Sequence, residues 1–359
     1  MGVCLGPSKH YGAVPNPAEL PDTPMIDLIA DFDLSARNTL ALRARSRFGA
    51  TILAADDVPA LLDLTAEQGL ALRVLGGGSN VVLSEVFDGL TAIMAITGRR
   101  IIADDADATI VEAGAGESWT DFVAWTVGQG FGGLENLVSI PGTVGAAPVQ
   151  NIGAYGAELA DFFHELTAYD RLERRFVRLG RNESGFGYRD STYKRQPDRY
   201  VITAVQLRLP KPWSPNLRFA GLAELADQPG LSPADVMNRV AAIRASKLPD
   251  WRVEPNAGSF FQNPVVPAAL AAAIVADYPE APNFAQSDGR RKLSAAWLIE
   301  KTGLKGFQLG PAGTSERHAL VVVNRGGASA ADISALADHI KAQVLARFGV
   351  PLHVEPVFL

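Results

Sequence analysis

The sequence predicts a mixed α and β protein of more than one domain, and three observations carry that expectation. The chain has 359 residues, enough for two or three domains. From Met25 onward, short β-rich runs alternate with helical patterns. The segment Pro210-Lys211-Pro212-Trp213-Ser214-Pro215 holds prolines that break both helix and sheet, which suggests a boundary.

Composition narrows the function. Hydrophobic residues make up 47% and charged residues 20%, with a net charge of −6, the balance of an ordinary globular protein. An acidic chain is a poor non-specific nucleic-acid binder, so no nucleic-acid partner is expected. The single cysteine, Cys4, allows no intrachain disulfide and no thiolate metal site. Both facts fit a reducing cytoplasm. Residues 1–24 are proline-rich and lack an apolar signal-peptide core, so they read as a flexible leader. No apolar run approaches the roughly 20 residues of a membrane span.

The elements follow in order. Asp56 is placed to cap a helix with Pro59 in its first turn; Leu61, Leu62 and Leu64 supply apolar positions, and Gly69 ends it. The run 70–75 reads as a strand feeding the loop Gly76-Gly77-Gly78-Ser79-Asn80. Segments 81–83, 90–96, 109–116 and 200–209 read as further strands. Beyond the proline segment the pattern turns helical. In the last long helix Ser329 and Asp332 suit a capping box. Ile333, Leu336, Ile340, Val344 and Phe348 share one face, then Gly349 and Pro351 stop it. A final strand over 351–359 carries Glu355.

Two glycine loops stand out. The stretch GGLENLVSIPGTVGAAPVQNIGAYG (132–156) includes Pro141, Gly142, Gly145, Ala146, Ala147, Gly153, Ala154 and Gly156. A backbone so bare can bring its N–H groups against a pyrophosphate, with Asn80, Gln150 and Asn151 at hand to read a ring's polar edge. Tight turns alone would explain either loop; the two together favour a nucleotide cofactor. Known phosphate signatures do not fit. No P-loop occurs, and Gly76-x-Gly78 leads into Val81-Val82-Leu83, a strand where the dinucleotide fingerprint needs a helix.

Metal and hydrolase chemistry find little support. The five histidines show no ligand spacing, and no Gly-x-Ser-x-Gly elbow is present. His339 reads as solvated, His318 as a strand-edge residue. No metal is expected.

The set GGGSN, GLENLVSIPGTVGAAPVQNIGAYG, FGYRDS, NAGSFFQNP and KLSAAWLIEKTGLKG resembles the UDP-N-acetylenolpyruvoylglucosamine reductases of peptidoglycan precursor synthesis. The resemblance runs from about Asn38 to the C-terminus. It implies an α+β architecture with the FAD-binding fold of vanillyl-alcohol oxidase-like flavoproteins, two α/β subdomains plus a third α/β substrate domain. On that reading residues 25–97 and 98–245 form the FAD subdomains and 246–350 the substrate domain. The strand 351–359 then returns to the active site. The resemblance further implies non-covalent FAD, NADPH as electron donor, UDP-N-acetylglucosamine enolpyruvate as acceptor, a cytoplasmic location and a monomer.

The implied chemistry explains the motifs. Hydride adds to the methylene carbon of an enolpyruvyl ether, and charge develops on the neighbouring carbon and its carboxylate. A guanidinium suits two-point binding of that carboxylate, which makes Arg189 in FGYRDS the candidate electrophile. Glu355 matches the family's acidic residue that helps stabilise the enol. Ser259 matches its proton donor, with Phe260 and Phe261 expected to keep water out. The cofactor residues implied are Gly76, Gly77, Gly78, Ser79, Asn80, Pro141, Gly142, Gly145, Gln150, Asn151, Gly153, Ala154 and Arg244. The substrate residues are Tyr155, Tyr188, Lys247, Asn263 and Phe219. Arg244 and Lys247 each have a plain alternative as helix-surface charges, and Trp297, Leu298 and Ile299 read as core.

Two positions depart from the family pattern. Phe219, in LRFAGL, stands where a substrate-covering tyrosine falls, and Val357 stands where a basic residue is common. Another FAD oxidoreductase of the same fold, or a non-catalytic FAD-binding paralogue, are the competing readings.

Overall fold

The computed structural model describes residues 26–359; the leader expected over 1–24 lies outside the described residues. The first sheet has four strands in the order Ile29–Asp33, Arg45–Ile52, Val86–Met94, Ala71–Leu75. The first pair is antiparallel and the other two are parallel. The connection between the parallel strands is the helix Asp57–Glu67, which buries Val58, Leu61 and Leu62. Asp56 is not its cap: its side chain makes no capping bond, because its backbone is already helical. Asp57 does that work instead, accepting from the Leu53 and Ala54 N–H groups at 2.7 and 2.8 Å. Gly69 follows at φ +64°, the left-handed turn expected of it.

The second sheet is antiparallel throughout, in the order Arg175–Gly180, Phe163–Asp170, Tyr200–Pro210, Ala108–Gly114, Arg99–Asp104. Helix Trp119–Gly128 opens on Ser118, whose side chain accepts from Asp121 N. Trp119 donates from Nε1 to the Leu137 carbonyl at 2.8 Å and so ties the helix to the start of the glycine-rich stretch.

The proline segment breaks the strand as expected, but no new core begins there. Trp213 packs over Gly132 and donates from Nε1 to the buried Glu135 at 2.7 Å. Leu222, Val236, Val240 and Ile243 join the same core as Val111, Phe122 and Val205. Helix Pro233–Lys247, with Ser232 and Asp235 as its capping box, therefore lies on the first half of the chain. A second core gathers Ala257, Phe260, Phe261, Leu298, Val322 and Ile340, together with Leu40, Leu42 and Val82 from far upstream.

That second unit holds a four-stranded sheet in the order Asn256–Ser259, Val321–Asn324, Ala312–Thr314, Gln308–Leu309, and a three-stranded one of Val265–Val266, Arg291–Leu293 and Asn283–Ala285. Its long helix, Ala330–Phe348, has the Ser329–Asp332 capping box, buries the five predicted apolar positions and ends at Gly349 with φ +67°. Leu298 and Ile299 are core as expected, and Trp297 packs against Tyr278 and Phe348. His339 is not solvated but half-buried, stacked on Phe307 with ring centroids 5.1 Å apart.

The C-terminal segment is not one continuous strand. Val354 bridges Phe261, then Val357–Phe358 pairs in parallel with Val81–Val82. Glu355 sits between these two pairings, at the seam of the two halves. Among the described residues no helix is long and apolar enough to cross a membrane.

Candidate active site

The two glycine loops, separate in sequence, face each other. A Cβ on Gly77 would lie 2.9 Å from Gly142 Cα, and one on Gly76 would lie 2.6 Å from Thr143 Oγ1. Ser79 donates from Oγ to the Pro141 carbonyl at 3.0 Å. Gly142, at φ +123°, takes a backbone conformation that side chains rarely tolerate. Gly145 is fixed the same way, since a Cβ there would meet Ala115 Cβ at 2.5 Å. Thr143 Oγ1 is buried here without a hydrogen-bond partner. A bare paired-loop cradle with an unsatisfied hydroxyl fits a polar, extended cofactor such as FAD. Residues 76–80 and 141–145 would hold it.

One end of the cradle meets the catalytic candidates. Asn80 donates from Nδ2 to Gln150 Oε1 at 2.8 Å, and Gln150 donates from Nε2 to Glu355 Oε1 at 3.4 Å. Arg189 Nε lies 3.0 Å from the same carboxylate oxygen, both side chains largely buried. The Arg189 N–H does not aim along that line, so the contact is an ion pair and not a hydrogen bond. Its Nη2 donates to the Gly153 carbonyl at 2.7 Å, and Nη1 makes no protein hydrogen bond among the described residues. Arg189 has φ +55°, a left-handed conformation held by the turn it occupies, where Gly187 and Asp190 bridge.

Burial raises the pKa of Glu355, against the opposing pull of Arg189 and Lys194. Lys194, from the short helix Thr192–Arg195, also donates to the Arg189 carbonyl at 3.0 Å. Its part was missed in the sequence; the only signal was its place five residues past Arg189, on the turn that follows.

Ser259 comes from the other half. Gly258, at φ +68°, turns the chain so that Ser259 is exposed while Phe260 and Phe261 are buried. The phenylalanines therefore do not screen the serine; they anchor its strand in the second core. Glu355 N–H donates to the Phe260 carbonyl at 2.8 Å, so one backbone bond joins the neighbour of Ser259 to Glu355.

Around this centre the remaining candidates divide. Tyr155, at φ +49°, packs edge-on against Phe219 with ring centroids 4.7 Å apart, and its hydroxyl faces Arg244. Burial lowers the Arg244 pKa, and Tyr155 opposes that fall. Lys247 Nζ lies 5.3 Å from the Phe219 ring centroid. Tyr188 packs beside Arg189 and near Asn263, with the missed Lys292 Nζ 5.1 Å from its ring centroid. His318 is half-buried, its pKa lowered by burial and by Lys247. Asn151 and Asn263 turn their side chains inward. Asn151 bonds Glu158, the Gly187 carbonyl and Ala160 N, and Asn263 accepts from Ala295 N at 3.0 Å. Asn151 thus has no side-chain N–H left to donate to a cofactor. Gly153 and Ala154 form a short strand beside them, and Gly153 supplies its carbonyl to Arg189. No cluster of potential metal ligands occurs among the described residues.

Comparison with known proteins accords with this geometry. A family model described as FAD binding domain matches residues 53–174, and one for the UDP-N-acetylenolpyruvoylglucosamine reductase C-terminal domain matches 249–359. The chain is 48% identical to the reductase of that name from Burkholderia cenocepacia over 345 residues, covering 94% of this chain and 99% of that protein. It is 50% identical to the one from Azoarcus sp. over 343 residues, with the same coverage. The solved MurB reductase from Thermus caldophilus shares the fold at TM-score 0.62 and 23% identity, covering 93% of this chain and 98% of that one. With such identity over nearly its whole length, the chain belongs to the UDP-N-acetylenolpyruvoylglucosamine reductase family.

Proposed function

We propose that Arg189, Glu355 and Ser259 carry the reduction of the enolpyruvyl ether of UDP-N-acetylglucosamine to UDP-N-acetylmuramate. The observation that carries the reading is the Arg189–Glu355 ion pair at the end of the glycine cradle, one backbone bond from the neighbour of Ser259. The enzyme is an FAD-containing oxidoreductase of peptidoglycan precursor synthesis. Bound FAD supplies the hydride, drawn from NADPH.

The side chains handle the charge and the proton. Arg189 binds the substrate carboxylate through its free Nη1 and stabilises the charge that develops as the methylene carbon is reduced. Glu355, kept protonated to higher pH than an ordinary carboxyl, hydrogen-bonds the developing enolate. Ser259 Oγ delivers a proton to the carbon that bears the ether oxygen, and solvent restores it. Lys247, beside Phe219, supplies a cation for the substrate's diphosphate, and Arg244, beside Tyr155, faces the flavin. The enzyme acts in the cytoplasm as a monomer, with residues 246–350 as its substrate domain.

One anaerobic trace tests this. The visible spectrum of the purified protein reports flavin, NADPH bleaches it, and added UDP-N-acetylglucosamine enolpyruvate should restore it rapidly. Flavin that reduces without reoxidising would point to another acceptor on the same fold. Absence of flavin and of flavin binding would refute the reading of the cradle.

A further inference from the structure

The amide of Gln150 lies between the glycine cradle and the catalytic carboxylate, and its orientation is fixed from outside. Asn80 Nδ2 lies 3.4 Å from the main-chain carbonyl of Glu355, an atom that only accepts. That contact sets the Asn80 amide with its NH2 toward residue 355. The same NH2 donates to Gln150 at 2.8 Å, so Gln150 must present its oxygen there. Its own NH2 is thereby turned to Glu355 Oε1. Arg189 Nε approaches the same Oε1 at 3.0 Å. Gln150 is therefore the group that donates to Oε1, with the Arg189 charge beside it, and both disfavour a proton on that oxygen.

We propose that Gln150 is a positioning residue for the proposed acid. Held by Asn80, it confines the Glu355 proton to Oε2, the oxygen left to donate toward the substrate's enolate. This rests on the reading of Glu355 given above, and it assigns Gln150 a task distinct from cofactor contact. The charged and titratable groups that face Glu355 are Arg189 and Tyr188 from the FGYRDS turn and Lys194 from the helix after it. Gln150 is the neutral donor among them. Its loss leaves those charges in place and removes one bond to the ionised form.

The test uses the holoenzyme and a readout independent of turnover. The protonated-carboxyl infrared band of Glu355, identified by subtracting the Glu355→Gln spectrum, is titrated in wild type and in Gln150→Met. The ionisation constant should fall about three- to tenfold, moving the titration to higher pH. Asn80→Leu provides a second, uncharged variant. A leucine cannot donate, so nothing holds the Gln150 oxygen toward residue 80 and its NH2 is no longer fixed on Glu355. The titration should then move in the same direction by a smaller amount. An unmoved titration in both variants would overturn the proposal.

Stopped-flow kinetics supply the functional arm. Gln150→Met should slow substrate-driven reoxidation per bound flavin about tenfold. The same change made in Glu355→Gln should add nothing. An equal loss in that background would mean Gln150 acts on the flavin alone, and would overturn the proposal. Failure of wild-type reoxidation would count against the reductase reading, and the infrared titration would still decide for or against Gln150.

Discussion

Arg189 Nε and Glu355 Oε1 meet at 3.0 Å across the seam of the molecule. The arginine lies on a turn of the first half, at φ +55°; the glutamate lies between two strand pairings that tie the C-terminus to both halves. Two opposite charges so deeply placed lose hydration. Their mutual attraction, the Gly153 carbonyl on Arg189 and the Gln150 amide on Glu355 offset part of that loss, while Arg189 Nε and Nη1 stay without protein hydrogen bonds among the described residues. On the proposed reading, a ligand carboxylate takes over part of the arginine's charge.

Ser259→Ala should separate the two half-reactions. Flavin reduction by NADPH should stay near the wild-type rate, since the hydroxyl takes no part in it. Reoxidation by substrate should slow by about 10²–10⁴-fold, the usual worth of a placed acid. Anaerobic stopped-flow absorbance measures both, and equal slowing of the two would remove Ser259 from the proton step.

Lys194→Met should move a pH limb. Glu355 is raised by burial and pulled down by Arg189 and Lys194, so losing Lys194 raises it further. If protonated Glu355 is the active form, reoxidation falls as pH rises through its pKa. The falling limb should therefore shift to higher pH in the variant, and vanish in Glu355→Gln. A rising limb that moves to higher pH in the variant would show instead that the ionised form is the working one.

Gly77→Ala tests the cradle. The added Cβ would meet the Gly142 backbone at 2.9 Å, and neither loop can yield through a side chain. Flavin content, read as the ratio of visible to ultraviolet absorbance, should drop severely. Gly98→Ala is not a fair control, since Gly98 has φ +122°; Gly128→Ala is, with open space and an ordinary φ. That control should retain its flavin.

Phe219→Tyr addresses the departure from the family. The ring is already packed on Tyr155 and beside Lys247, a setting worth about 0.5–1.5 kcal/mol for the aromatic pair. Adding a hydroxyl should lower the substrate dissociation constant severalfold if the segment covers the ligand. Equilibrium titration that finds no change would place Phe219 in the wall and not in a lid.

Much of the local structure could be read from the sequence. The Ser329–Asp332 capping box, the apolar face of that helix and the strand before GGGSN all depend on neighbours within a few residues. The strands Arg45–Ile52 and Phe163–Asp170 escaped notice because their polar and apolar residues do not alternate cleanly. The sequence offers Asp56 as the helix start and the structure uses Asp57, because either carboxylate can serve and only the backbone at 56 decides between them. Resemblance to a family supplied Arg189, Ser259 and Glu355 as names, without the contacts that make them act together.

Those contacts are what the tertiary structure alone decided. Gln150 reaches Glu355 only because Val357–Phe358 pairs with Val81–Val82 and brings the chain's end onto the glycine loop. Phe260 and Phe261 turned inward because the second core needed their surface, leaving Ser259 on the open side. Asn151 was drawn into protein bonds for the same kind of reason, since a buried amide must satisfy every donor and acceptor it carries. Sequence fixes which residues can cap, turn or bear charge, because those are short-range properties of side chain and backbone. Which charges share an oxygen depends on where distant segments are packed, and that is settled only when both cores close.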